Sequence, residues 1–303
     1  MVLFLMLSTG LFADGVSDVS GASLFPWWGW LLLLFGFCFL LGILAAAAGI
    51  GGGILYLPIV GTLFPFHLDY VRGASLITAL VGTLSAAPRL LSCGLASLRL
   101  ALPLALLSSI GSLLGANFGL SLPGSFLQLG ISAIIFAVIA VLIFNKQTDS
   151  PDTVPDPLAK HLGISGSFIE SSSGIAIHWS VHRLKTGMAI FFVIGCLSGL
   201  FGIGAGWANV LVLNLLLGAP LKIAAATSIL VIAINGSAAA WVYFAQGAVL
   251  PVIAVPSALG MMLGSRLGVK FLEKANSSVI RRLIMVLLTA AGVRFLFSGL
   301  RGV

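Results

Sequence analysis

Charge is scarce in this chain. Asp, Glu, Lys and Arg make up 8% of its 303 residues, where soluble domains carry ~25%. With 59% hydrophobic residues, such a chain cannot cover itself with a water-compatible surface, so a soluble enzyme or a disordered tail is excluded. Cysteine is scarce as well. Cys38, Cys93 and Cys196 have no paired spacing, which excludes a disulfide scaffold and makes them small buried hydrophobes. Only eight residues are acidic, and none lies inside an apolar segment. Metal ligation, carboxylate acid–base chemistry and a carboxylate proton relay therefore lack their usual groups within a membrane. No enzyme, cofactor or metal site is expected. The net charge is +7, but among the basic residues only Arg281 and Arg282 adjoin, so neither a nucleic-acid patch nor a polybasic lipid tail forms.

Long apolar runs and glycine are what the chain has in quantity. Mean hydropathy is +1.18 and glycine numbers 37; membrane helices use glycine to pack closely. Strands of a membrane barrel would alternate over ~10 residues, and these runs do not. The fold expected is all-α, a polytopic transmembrane bundle of about 8–10 membrane segments, placed in the cytoplasmic membrane.

Residues 1–24 form an apolar, signal-like segment without a basic start. Apolar segments follow at about 25–48, 54–66, 74–91, 98–120 and 126–144. A polar linker, 145–185, carries Pro151, Pro155, Pro157 and half of the acidic residues. Five more segments lie at about 186–201, 207–217, 224–245, 249–267 and 283–296. The chain thus divides into 25–144 and 186–303 around one linker. Within the linker, Ile175, Ile177, Trp179 and Val181 alternate with polar or small residues, a strand pattern. Ser171-Ser172-Ser173-Gly174 would turn it back as a β-hairpin. The same alternation argues against a metal role for His178 and His182.

The halves resemble repeats. Gly49-Ile50-Gly51-Gly52-Gly53 aligns with Gly202-Ile203-Gly204-Ala205-Gly206, Ser75 with Ser228, and Gly94 with Gly247. Gly111, Gly115 and Gly119 align with Gly260, Gly264 and Gly268 after a short slip. Each half has one short apolar element, ~15–20 Å long against a ~30 Å core. If these short elements still carry the chain across, Arg89, Arg99, Lys146, Lys160, Arg183, Lys185, Lys222, Lys270 and Arg281 share one face. The positive-inside bias favours that arrangement, which inverts one repeat relative to the other and puts the linker in the cytoplasm.

Each glycine costs ~1 kcal/mol against alanine in a helix interior, so the two Gly-rich runs break the helices that contain them. In hydrocarbon, broken backbone must be buried in protein or line a polar cavity. Matching breaks in two halves predict a central site. The helices restarting near Ile54 and Trp207 aim free N–H groups there, which suits an anion. The candidate substrate residues are Gly49, Gly51, Gly52, Gly53, Ser75, Arg89, Gly202, Gly204, Gly206, Asn209, Thr227, Ser228 and Asn235. Arg89 has a competing role as an interfacial charge, as do Lys222 and Arg266. The glycines at 111/115/119 and 260/264/268 read as packing positions.

Ala48-Gly49-Ile50-Gly51-Gly52-Gly53 with Pro58, the run Gly199–Gly206, Gly218-Ala219-Pro220-Leu221-Lys222, Ala226-Thr227-Ser228 and Gly264-Ser265-Arg266-Leu267 together resemble the sulfite exporter TauE/SafE family. The resemblance covers roughly 30–145 and 186–298. It implies a two-repeat secondary transporter for a small, often sulfur-containing anion such as sulfite or a sulfonate. Ala74-Ser75 replaces the Thr-Ser the family favours, and Ala205 and Trp207 interrupt its plainer glycine run. The expected partners are the anion and the bilayer, and a homo-oligomer is compatible with the sequence. The rivals are a passive anion channel and a membrane scaffold acting through the linker.

Overall fold

The computed structural model describes residues 27–63, 68–121, 156–169 and 176–274, with isolated positions between 130 and 136 and between 279 and 293. The signal-like segment 1–24 and nearly all of the apolar segments at 126–144 and 283–296 lie outside the described residues.

Six long helices dominate: α1 (Trp27–Ala48), α3 (Leu68–Ser92), α4 (Leu98–Gly119), α6 (Leu184–Phe201), α8 (Leu221–Ala245) and α9 (Pro251–Lys274). Each is long and apolar enough to cross a membrane, as the apolar runs predict. A helix satisfies its backbone internally, the requirement hydrocarbon imposes. Leu32, Leu40, Leu106, Phe118 and Trp241 stay exposed on the outside of the bundle, a surface that lipid rather than water suits. Two short helices, α2 (Gly53–Leu63) and α7 (Gly206–Leu211), follow the two glycine runs, and α7 continues into a π-helical turn over Val212–Leu216.

The glycines end the helices before them. At the end of α1, Gly49 takes the left-handed conformation (φ +72°). There the Gly49 N–H bonds the Ala46 carbonyl and the Ile50 N–H bonds the Ala45 carbonyl, which is the Schellman arrangement. At the end of α6, Gly202 (φ +70°) donates to Ser198 instead, the simpler single-bond stop.

Packing crosses the sequence halves. Among the described residues, the first helix of each half lies along the last helix of the other, α1 on α9 and α4 on α6. A methyl at Gly260, Gly264 or Gly268 would overlap the carbonyls of Phe35, Phe39 and Ile43 in turn. One at Gly111, Gly115 or Gly119 would overlap those of Phe192, Cys196 and Leu200. These are the packing glycines the sequence predicts, and the ascending order on both sides makes each pair parallel. Ser85 reaching Met262 and Arg89 reaching Glu273 make α3 parallel to α9. Ser97 at Thr227 and Ser112 at Asn235 make α4 parallel to α8. Between the sets the sense reverses: Gly73 abuts Ala248, while Gly236 approaches Leu80. So α1, α3 and α9 run one way and α4, α6 and α8 the other. Because α1 and α3 are parallel, the glycine break and α2 return the chain to the side where α1 began. The same holds for α7 and its π-turn between α6 and α8. The most enclosed span is α8, with 83% of its apolar window buried against 44–56% for the other five.

The linker forms a docked unit. A short helix, α5 (Pro157–His161), precedes β1 (Ser165–Ile169) and β2 (Ala176–Ser180), which pair antiparallel with Ser165 opposite Ser180. Asp156 accepts the Leu184 N–H at 3.1 Å, a carboxylate on the positive start of α6. His182 donates its backbone N–H to Leu217, and Arg99 bonds the Gly163 carbonyl. The starts of α4 and α6, and the π-turn end, therefore meet the linker at one face.

Three expectations change. The six helices include Asp69 and Glu273 near their ends, because α3 begins six residues before, and α9 continues seven residues beyond, the apolar runs that mark them. Cys93 is exposed, not a buried hydrophobe, since it sits in the turn after α3; Cys38 is buried and Cys196 half-buried. Lys222, expected to reach the interface, is 2% exposed in the first turn of α8.

Candidate functional site

The two glycine breaks hold each other at the centre of the bundle. Gly53 lies so close to the Ile203 carbonyl that a methyl would overlap it, and Gly206 bears the same relation to the Ile50 carbonyl. Both seats are backbone against backbone, so neither neighbour can step aside by changing rotamer. Gly49 rests on the Ala225 backbone and Gly202 on Arg72, again a matched pair. Gly51 and Gly52 touch the side chains of Ile232 and Met261, whereas Gly204 meets nothing nearer than Ala79 at 3.7 Å.

Ser75 and Ser228 occupy matched places. Ser75 donates its hydroxyl to the Gly53 carbonyl at 3.2 Å. Ser228 lies 3.2 Å from the Gly206 carbonyl and 2.9 Å from that of Gly49. With one proton, each hydroxyl ties a break to the helix beside it and keeps lone pairs, not a donor, for anything else. Thr227 is carried away from the breaks, because its Oγ1 accepts the Ser97 N–H at 3.3 Å at the linker-side end of α4.

The asparagines are more informative. Asn209, on α7, is fully buried, and neither atom of its amide has a hydrogen-bond partner. Asn235 donates to Ser108 at 2.7 Å, while its side-chain oxygen is unpartnered. Thr78 is likewise buried with an unpartnered hydroxyl. Buried polar groups are nearly always satisfied, so three such groups on α3, α7 and α8 mark the interior near the breaks as a place with unused hydrogen-bonding capacity.

Arg89 is remote from the breaks. It lies at the linker-side end of α3, where its Nε and Nη2 engage both oxygens of Glu273 on α9, the latter at 2.8 Å. Arg89 borders a cavity of about 430 Å³ lined also by Ser85, Arg266 and Lys270 among others. Arg266 donates from Nε to the Ser85 hydroxyl at 3.1 Å. A second, smaller cavity of about 10 Å³ is lined by Gly51, Thr83 and Met261 among others. Ala86 lines both.

At the opposite end, Arg72 is 1% exposed. It holds Asp69 at 2.9 Å and the Leu200 carbonyl, and it sits 5.5 Å from the Tyr243 ring centroid. Tyr243 in turn donates to Gly199 at 3.0 Å. The cluster joins α3, α8 and the end of α6. Sequence reasoning passed over Arg72, and also Tyr56, which bonds Ser257 at 3.0 Å. Asp69 and Arg72 stand three apart, a helical pair that was legible beside the third apolar run. Arg266, Lys270 and Glu273 share one helical face by the same spacing. Among the described residues, no group of three His, Cys, Asp or Glu could hold a metal.

Comparison with known proteins agrees with this architecture. Residues 34–295 match the family model described as sulfite exporter TauE/SafE. The chain is 26% identical over 267 residues to the probable membrane transporter protein YunE of Bacillus subtilis (strain 168), covering 86% of this chain and 94% of that protein. It is also 26% identical over 270 residues to the probable membrane transporter protein ORF9 of a Sinorhizobium species, covering 88% and 92%. No solved structure matches.

Proposed function

Because the chain belongs to the sulfite exporter TauE/SafE family of membrane transporters, we propose that it is a secondary transporter that carries a small anion, sulfite or an organosulfonate, by alternating access. The observation that supports this reading best is the reciprocal seating of Gly53 on Ile203 and Gly206 on Ile50. Two discontinuous helices meeting at mid-bundle, within halves of opposite sense, are the design by which inverted repeats build a central carrier site. The helix starts at Gly53 and Gly206 have first-turn N–H groups without carbonyls of their own helix, and they favour negative charge. In the six long helices the described carboxylates are Asp69 and Glu273, both near helix ends, so a cation at the breaks would meet no counter-charge.

The packing supports one choice of moving parts. Since α1 lies with α9 and α4 with α6, the sequence halves are interlaced and cannot rock as separate bodies. The moving parts are the two parallel sets, α1/α3/α9 and α4/α6/α8, sliding along the α3–α8 contact. Asn209, Asn235 and Thr78 would supply hydrogen bonds when that contact opens. Arg72, gripping the end of α6 and flanking Tyr243, would keep the end far from the linker shut in this conformation.

Flux of labelled sulfite in proteoliposomes under an imposed pH gradient tests the reading, with taurine, sulfoacetate, sulfate and chloride as competitors and Gly204→Leu as control. Saturable flux with counterflow, competed by one sulfur anion and lost in the variant, is expected. Conductive flux without counterflow would make the protein a channel. Absence of flux from folded protein would remove the sulfur-anion reading.

A further inference from the structure

We propose that Arg89, Arg266 and Lys270 form an anion-capture site at the linker-face mouth, and that Glu273 is its built-in counter-anion, displaced from Arg89 when an oxyanion arrives. The proposal rests on the transporter reading above, and it adds a binding site distinct from the glycine breaks.

Four observations carry it. The mouth cavity, about 430 Å³, is many times the ~30 Å³ share of one water, so a partly hydrated oxyanion fits. Three cations border it and, among the described residues, Glu273 is the carboxylate that pairs with them, leaving an excess of positive charge at a concave surface, the arrangement that concentrates anions. Its guanidinium groups are aimed rather than loose: Ser85 holds Arg266 through Nε and is itself held by the Met262 carbonyl at 2.9 Å. That leaves the terminal N–H groups of Arg266 for a planar or tetrahedral oxyanion. Glu273, for its part, occupies Arg89 at a site where the arginine side chain is 45% exposed. Glu273 is 18% exposed, and an ion pair open to water on its arginine side contributes little, so the carboxylate there is exchangeable.

Ala86 lines both the mouth and the small cavity at Gly51, Thr83 and Met261, so the mouth adjoins the first glycine break. Among the described residues, the matched positions of the other half lack these charges: Asn117, bonded to Gln246 at 3.4 Å, stands where Arg266 would be, and Val242 stands in the place of Arg89. Capture is one-sided, on the linker face.

The test uses the full chain in proteoliposomes. Arg266→Gln and Lys270→Gln should each raise the KM for sulfite about fivefold with Vmax little changed, the size of losing one screened charge contact. Arg266→Lys should restore most of the loss, and Glu273→Gln should lower KM. Robust transport with unaltered KM in Arg266→Gln and Lys270→Gln overturns the capture site and leaves the transporter standing.

A second readout needs no transport. Cys93 Sγ lies 3.4 Å from Glu273 Oε1, so release of Glu273 should change its rate of maleimide labelling. In phosphatidylcholine nanodiscs, inorganic sulfate should alter that rate in the parent protein and not in Arg266→Gln. If sulfite flux is absent but sulfate has this effect, the site survives the failure of the transporter reading. If sulfate has no effect, or if only added phosphatidylglycerol changes the rate, the proposal falls, in the latter case to a lipid phosphate.

Discussion

The two halves agree in backbone and differ in chemistry. Gly53 and Gly206 sit on matched carbonyls, Ser75 and Ser228 bond matched glycines, and three glycines of α4 meet α6 as three of α9 meet α1. Yet Arg72 presses on Gly202 where Ala225 presses on Gly49. Tyr56, bonded to Ser257, is matched by Asn209, bonded to nothing. Arg89 and Arg266, at the mouth, are matched by Val242 and Asn117. Close approach of backbones is needed twice, once for each break, and so it is kept twice. Charge and hydrogen bonding are needed where one face must differ from the other, and these are the positions at which the two halves differ.

Substitutions can break this comparison. The largest effects belong to the shared backbone contacts. Gly53→Val and Gly206→Val should each prevent folding, because a β-carbon overlaps a carbonyl that cannot move; overpacking typically costs ~1–3 kcal/mol even where neighbours can shift. Neither protein should show a cooperative melting transition in detergent. If one melts like the parent, the two seats are not equivalent. Next is Arg72→Leu, which removes the ion pair with Asp69 and the hydrogen bond to the Leu200 carbonyl. Because Asp69 is 37% exposed, the cost should fall below the ~3–5 kcal/mol of breaking a fully buried pair, whereas Ala225→Leu, the matched position, tests steric fit alone and should not depend on Asp69. A double-mutant cycle with Asp69→Asn separates the two, since coupling is expected only through Arg72.

Asn209→Leu sharpens the functional side. Its amide has no partner to lose, so stability should stay within ~1 kcal/mol or rise, while sulfite flux falls. A fall in melting temperature matching the fall in flux would make Asn209 structural. The smallest effect is expected at Gly36 in α1, where an added β-carbon meets nothing within 4 Å. Gly36→Ala should stabilise by about 0.5–1 kcal/mol, with transport unchanged.

Much of this was legible before any coordinates. The ends of α1, α4, α6 and α8 fall where the apolar runs end, because a hydrocarbon interior leaves a helix little freedom to stop except at glycine or a polar turn. The breaks were legible for the same reason, and the match between Ser75 and Ser228 came with them. Other features depended on tertiary packing. A run of apolar residues cannot say that α1 will pair with α9, since that choice is made by three glycines two hundred positions away. The start of α3 was missed because Leu68–Gly73 looks like loop until Arg72 finds Asp69, Leu200 and Tyr243. Thr227 was assigned to the breaks by its neighbour Ser228, yet adjacent helical residues point about 100° apart, and only one of the two can face them.

The interlaced pairing also sets an order of manufacture. Helix α1 is complete at Ala48, but the helix whose glycines receive it begins at Pro251. At ~5–20 residues per second, α1 waits roughly 10–40 s in the membrane with a vacant flank. A chain that stops after its first half leaves both α1 and α4 in that state. Cells making this protein must therefore shelter an unfinished groove through most of each synthesis. Truncated chains are expected to be cleared unless the missing half is supplied separately, when co-expressed halves should find each other through the same glycine stripes.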